Sequence, residues 1–262
     1  MMNDVIENSA RSRRIIQTIC DLVHKPLSEC RAVDLGCAHG QFAMELARRG
    51  AKTLGIEGRQ SWVDHANKWK VDLHLNNVDF ALDDIRNLSK GKYGTFDIVI
   101  CAGLLYHLDQ PDVFELLATI YDVCTDIAII ETHVSLRQDV SVAWKGHTYW
   151  GCNYREHLPG TREAEKIANV GASLDNDNAF WLTLPSLLNA LRHVGFSYVA
   201  QGRVPLDNIR LNGDFKLHPD IVGLVAVKGK PIGDFLGLTP GQEIEDWPED
   251  PEKYYWKRPG MP

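Results

Sequence analysis

The stretch RAVDLGCAHGQF, residues 31–42, sets an acid ahead of two spaced glycines, Asp34-x-Gly36-x-x-x-Gly40, between a strand-like and a helix-like run. Glycine loses more backbone freedom on folding than any other residue, so two at one turn need a use. At the carboxyl end of the first strand of a doubly wound sheet, that use is a small ligand. Gly36 admits it close to the backbone, Gly40 lets the helix begin close to the strand, and the helix start offers free N–H groups. A dinucleotide site would read G-x-G-x-x-G, but Ala38 fills the middle position here. Asp34 repels a pyrophosphate and suits a ligand that carries positive charge.

The elements that must hold this loop alternate along the chain. Ile6, Ile15, Ile16, Ile19, Leu22 and Val23 form a helical stripe that Pro26 closes. RAVDL reads as a strand and GQFAMELARRG as a helix stopped by Gly50. AKTLGIE is the next strand, followed by a helix with Trp62, Ala66 and Trp69 on one face, and then by VDFALDDI as strand and turn. FDIVICAGLL is apolar throughout, as expected of a strand covered on both faces. PDVFELLATIYDVC is a helix and DIAIIE a strand. Such alternation means crossover units and a parallel sheet, an α/β fold. From about His133 to Phe180 no period is visible. TLPSLLNALRHVGF is then a helix capped by Thr183 and stopped by Gly195, and FSYVAQ and DIVGLVAVKG are late strands. One domain is expected over residues 1–262. Its parts are an N-terminal helix (1–29), a ligand-binding half (30–132), an inserted lid (133–180), the rest of the sheet (181–228) and an irregular tail (229–262).

The net charge of −7 argues against nucleic acid as the main partner, since phosphate binding rests on clustered Lys and Arg. The local cluster Arg11, Arg13, Arg14 reads as a solvated helix face. The start of the chain has no apolar segment of signal-peptide type, and the apolar run FDIVICAGLLY is too short to span a bilayer. The six cysteines form no C-x-x-C pair, so zinc spacing is absent and they read as buried free thiols of a cytoplasmic protein.

The loop DLGCAHG resembles motif I of the class I S-adenosylmethionine-dependent methyltransferases, with the middle glycine missing, and the resemblance runs from about residue 30 to 228. It implies a Rossmann-like, doubly wound, seven-stranded sheet, mostly parallel, with the last strand antiparallel and a lid inserted. It implies S-adenosyl-L-methionine as cofactor, held by Asp34, Gly36, Cys37, Ala38 and Gly40. Glu57, about 20 residues on, would accept both ribose hydroxyls. Asp84, or its neighbour Asp83, with Ile85 would meet the adenine, and Cys101 and Gly103 would lie beneath the methyl donor. The stretch GLLYHL is similar to tRNA wobble-uridine carboxymethyltransferases and to small-molecule methyltransferases.

Methyl transfer to a hydroxyl needs its proton removed, and histidine is the usual base. His107 follows the fourth strand, and Glu131 and His133 end the fifth, so these three are the catalytic candidates. His107 reads equally as a hydrogen-bonded structural histidine. No metal is expected, because His107, Glu131, His133 and His157 lack compact spacing. Long loops in compact domains are usually functional. Tyr106, Trp144, Tyr149, Trp150 and Tyr154 would therefore stack on an acceptor, and Arg155 and His157 would fix a polar group, unless the aromatics only cover the sheet. Trp181 fits either picture. The leading expectation is methyl transfer to a small or medium-sized acceptor, through oxygen. A tRNA-modifying enzyme and a cofactor-binding protein without transferase activity are the rivals. A homodimer contact would fall on the first helix or on the tail with Trp247, Tyr254, Tyr255 and Trp256.

Overall fold

In the computed structural model, β1 (Arg31–Leu35) lies between two parallel partners, β2 (Lys52–Glu57) and β4 (Phe96–Ala102), and so is buried along nearly its whole length. The structure describes residues 10–202 and 220–229. Ile6 and the tail residues Trp247, Tyr254, Tyr255 and Trp256 lie outside the described residues, as does the expected irregular tail from residue 230 onward.

With β3 (Val78–Leu82), β5 (Cys124–His133), β9 (Tyr198–Gly202) and β10 (Ile221–Val227), the main sheet has seven strands in the order β3-β2-β1-β4-β5-β10-β9. The last strand, β10, is antiparallel to both neighbours. Its place inside the sheet, with β9 at the edge, explains the unbroken apolar run IVGLVAV, because a strand paired on both sides and covered on both faces has no solvent side.

The two faces are covered by different helices. On one, α1 (Ala10–Leu22) and α2 (Gln41–Arg48) bring Ile15, Ile16, Ile19, Phe42 and Leu46 against Ile98, Ile100, Ile127 and Ile129. A third helix, α3 (Gln60–Asp72), follows β2 and buries Val63 and Ala66, and the short α4 (Lys90–Tyr93) precedes β4. On the other face, α5 (Asp112–Val123) is part of a second cluster built on Val33, Leu35, Val99 and Cys101.

The segment expected to have no period has one. β6 (Val140–Trp144), β7 (His147–Arg155) and β8 (Asn178–Leu182) form a second, antiparallel sheet, with the short helix α6 (Glu163–Ala168) between β7 and β8. Trp144 pairs with His147 across Lys145 and Gly146, whose φ angles are 47° and 84°. Two central residues with positive φ make the hairpin turn whose twist matches its strands. α7 (Leu184–His193) follows, and Thr183 caps it by accepting from the Ser186 N–H, as its sequence predicts.

Candidate active site

The carboxyl ends of β1, β2 and β4 converge on one cleft. Its first wall is backbone. Gly36, at φ 63°, and Cys37 donate their N–H groups to the Ile56 carbonyl at 2.9 and 3.1 Å, which bends the loop across the end of β2. A Cβ at Gly36 would stand 3.0 Å from Leu104, so the close approach requires glycine as well as the positive φ. The buried Glu57 carboxylate accepts the Ala38 N–H on one oxygen and the Arg59 N–H on the other, each at 2.9 Å. A carboxylate oxygen takes two such bonds, so each keeps room for a hydroxyl.

Beneath the loop, Asp34 is buried and one of its oxygens has no partner. Burial pushes its carboxyl up to about 7, against the Ala43 N–H and the nearby Arg11 charge, which favour the anion, while Glu57 adds to the rise. An orphaned acid oxygen beside a glycine loop is what a cationic ligand group would satisfy.

The other expected cofactor residues divide into two groups. Ala38, Asp83, Asp84, Ile85 and Gly103 line the cleft. Gly40, Cys37 and Cys101 support it from behind. A Cβ at Gly40 would fall 2.4 Å from the Phe80 ring, so this glycine serves helix–strand packing. The Cys37 and Cys101 thiols are buried, and burial pushes both upward, Cys101 to about 12. Asp83 is disfavoured as an anion by burial, but bonds from Lys92, Tyr93 and Asn87 outweigh this and hold it down at about 2. Asp84 caps the turn Ile85–Asn87 through the Arg86 N–H and pairs with the Arg86 side chain, which lowers its carboxyl against the effect of burial.

The second wall is built from side chains. Val170, Ala172, Ser173, Leu174 and Asp175 cross the cleft as a strap. Arg59 holds the strap's carbonyls at Ile167 (3.0 Å), Asn169 (3.0 Å) and Ala172 (2.9 Å). Arg86 pairs with Asp175, and Leu174 packs on Gly58, where a Cβ would meet it at 2.8 Å.

His107 also lines the cleft, on the turn Leu105–His107 after β4. Its Nδ1 donates to the two oxygens of Glu156 at 3.0 and 3.1 Å. The Glu156 side chain is only 2% exposed. The dyad leaves Nε2 as the basic nitrogen of a neutral ring. The turn is fastened to the second sheet by three carbonyls: Tyr106 accepts from Trp181 Nε1 (2.8 Å), His107 from Asn176 (3.3 Å) and Leu108 from the Phe180 N–H (2.9 Å). Glu156 is absent from the sequence-based candidates, although the run YREH holds it between Arg155 and His157.

Glu131 is engaged elsewhere: Arg11 donates to it at 2.6 Å. Arg13 and Arg14 are exposed as a solvated helix face requires, but Arg11 is only partly so. It reaches the end of β5, and a Cβ on Gly103 would lie 3.4 Å from its guanidinium. His133 forms a second dyad, with Asp220 at 2.6 Å, and stacks on Trp181 at 4.9 Å. Tyr154 covers the other side of Trp181 at 4.4 Å, and Tyr106 meets the His133 ring edge-on at 4.7 Å. These rings form a ladder beside the His107 turn.

Two expected acceptor aromatics face the core instead. Trp144 stacks on Phe114 at 5.4 Å and donates to Glu115, while Tyr149 is fully buried and bonded to His193. Alternation along β7 explains this: Tyr149 and Gly151 point inward, whereas Trp150, Cys152 and Tyr154 take the opposite face. Arg155 is exposed, and the buried His157 donates through Nε2 to the Ser173 carbonyl at 2.9 Å, which makes it a holder of the strap. Among the described residues, no three His, Cys, Asp or Glu are placed to hold a metal ion, and no helix is long and apolar enough to cross a membrane.

Residues 32–126 match the family model described as "Methyltransferase domain". With the seven-stranded sheet and its cleft, this match supports a class I S-adenosylmethionine-dependent methyltransferase domain, with S-adenosylmethionine as its cofactor. The chain is 24% identical over 168 residues to the 23S rRNA (uracil(1939)-C(5))-methyltransferase RlmD of Legionella pneumophila (strain Lens), covering 62% of this chain and 36% of that one. It is 28% identical over 81 residues to the ubiquinone biosynthesis O-methyltransferase of Acinetobacter baylyi, covering 31% and 34%. The chain thus spans about a third of the length of these curated relatives. Its fold is similar to the crystal structure of the N-terminal domain of EvdMO1 with SAH bound, at a TM-score of 0.61 and 23% identity, covering 83% of this chain and 79% of that one.

The residues present fit this cofactor. The orphaned Asp34 oxygen suits its ammonium, the free lone pairs of Glu57 suit the ribose hydroxyls, and Gly36 leaves the backbone bare.

Proposed function

We propose that the protein transfers a methyl group to a hydroxyl of a small or medium-sized acceptor in the cytoplasm, with His107 as base. The observation that carries this is the placement of His107, backed by Glu156, in the same cleft as Gly36, Glu57 and Gly103. Bound S-adenosylmethionine would supply an electrophilic methyl carbon on a sulfonium. Glu57, Asp34 and the loop glycines would fix its orientation. The Nε2 of His107 would take the hydroxyl proton as the acceptor oxygen bonds to the methyl carbon and the carbon–sulfur bond breaks. The strap would exclude water, which makes positioning count for more of the rate. The Tyr106–His133–Trp181–Tyr154 ladder, flanked by Arg11, supports an acceptor with a flat or apolar body on that side of the turn.

Transfer of labelled methyl to a panel of phenols, sugars and hydroxy acids tests the reading, with an unmodified RNA arm included because one relative is named for rRNA. His107→Gln is expected to lower kcat by roughly 10²- to 10⁴-fold, the usual contribution of a general base, with cofactor affinity unchanged. Full activity in His107→Gln would overturn the role of base, and label appearing only in RNA would overturn the acceptor class.

A further inference from the structure

We infer that Glu156 is a positioning residue that joins the base to the strap, so that closure of the strap over the cofactor cleft prepares His107 to accept a proton. The inference rests on the reading of His107 as base. Glu156 has two partners, one on the His107 turn and one on the strap. His107 Nδ1 lies 3.0 and 3.1 Å from its oxygens, and the Ser173 N–H donates to Oε2 at 2.7 Å. The next residue, His157, takes the Ser173 carbonyl at 2.9 Å. Consecutive residues therefore grip both backbone polar groups of one strap residue. The N–H groups of Glu156 and His157 in turn donate to the Asp177 carbonyl at 2.9 and 3.2 Å, which fixes the end of β7 to the far end of the strap.

A carboxylate this buried needs its bonds, because an unpaired charge away from water is costly. With the strap seated, Glu156 is satisfied by a backbone N–H and stays in the plane that receives Nδ1–H. With the strap displaced, Glu156 loses one of its two partners and water reaches it. Its hold on one tautomer of His107 then weakens, and the ring's basic nitrogen is no longer fixed toward the cleft. The strap is itself seated from the cofactor side, by Arg59, whose own N–H is bound to Glu57. A chain of contacts thus runs from the ribose-side acid through Arg59, the strap and Glu156 to the base. A molecule in the cleft touches both ends of that chain, since Glu57, Ser173 and His107 all line it.

The test is nitrogen-15 NMR of the histidine rings, read without cofactor and then with S-adenosylhomocysteine, in the wild type and in two variants. The expected wild-type signal for His107 is the Nδ1-protonated tautomer. Glu156→Gln should lose that preference and lower kcat at least tenfold, with cofactor affinity and acceptor KM within about twofold. Arg59→Met leaves the dyad intact and removes the bonds to the Ile167, Asn169 and Ala172 carbonyls, so this variant should lose part of the preference and its loosened strap should become cleavable by protease at residues 169–175. The same tautomer signal in Glu156→Gln as in the wild type would overturn the positioning role. An unchanged signal in Arg59→Met, with the strap demonstrably cleavable, would overturn the link to the strap. If the tautomer results hold while His107→Gln keeps full activity, the contact chain stands and the base assignment fails, so the two readings separate.

Discussion

The two walls of the cleft are made in different ways. The loop wall is local: Gly36, Ala38, Glu57 and Arg59 lie within 24 residues, and its geometry is set by backbone N–H groups and a positive φ. The strap wall is assembled from afar. Arg59 reaches carbonyls 108 to 113 residues on, and His107 meets Glu156 across 49 residues. The lesson is that the wall proposed to hold the cofactor is a local motif, whereas the His107–Glu156 dyad beside it is assembled by tertiary structure.

The sharpest way to break this comparison is at the loop wall. Glu57→Ala removes a prospective partner of the ribose and leaves the Ala38 and Arg59 N–H groups without their acceptor. The expected outcome is at least a 100-fold loss of S-adenosylmethionine affinity by calorimetry, from roughly 3 kcal/mol of lost charged hydrogen bonds. A loss under threefold would show that the strap wall, not the loop, carries the binding.

Next in size is Gly40→Ala. Its Cβ would collide with Phe80 at 2.4 Å from a backbone at φ 81°. A loss of about 2–4 kcal/mol in denaturant unfolding is expected, from strain plus overpacking. The effect should appear in stability first, because this glycine packs against Phe80 and Met44 and is not among the residues lining the cleft.

Asp34 gives a pH test. Its carboxyl is raised from 3.8 to about 7, so the folded protein holds a proton that the unfolded chain has released. The stability this contributes is complete below pH 3.8 and is lost as pH rises through about 7. A cationic ligand favours the anion, so cofactor affinity should strengthen as pH climbs toward 7 and then level off. Asp34→Asn should remove that pH dependence.

The smallest effect sharpens the comparison from the other side. Tyr149→Phe deletes the bond to His193 inside the core. It should cost about 1 kcal/mol of stability and leave acceptor KM unchanged. A raised KM would bring Tyr149 back to the acceptor.

The same division explains what could be read from the chain. The alternation of strands and helices and the acid–glycine loop depend on neighbours in sequence, so periodicity and spacing carry them, whereas the antiparallel last strand comes only from the family resemblance. The second sheet was also visible in part: VSVAW-KG-HTYW has two short runs around a turn dipeptide, but aromatic residues on both faces blur the alternation. Glu156 could not be found this way, because nothing next to it in sequence says that His107 and Ser173 will arrive on either side. Arg11 was misread for a related reason. A helical stripe sorts residues by hydrophobicity, and an arginine that crosses to Glu131 near the carboxyl end of β5 scores like any solvated one.

Arg59 grips the strap by carbonyl oxygens alone, which has a consequence for redesign. Every amino acid supplies a carbonyl, so the latch is indifferent to which side chains the strap displays. Exchanging Val170 or Leu174 leaves these bonds in place and removes, at Leu174, only the packing on Gly58. An engineer who wants the protein to accept a cofactor analogue enlarged on the side beneath Leu174 should trim that residue and leave Arg59 alone. Pocket shape and closure are, at this point of the molecule, separately adjustable.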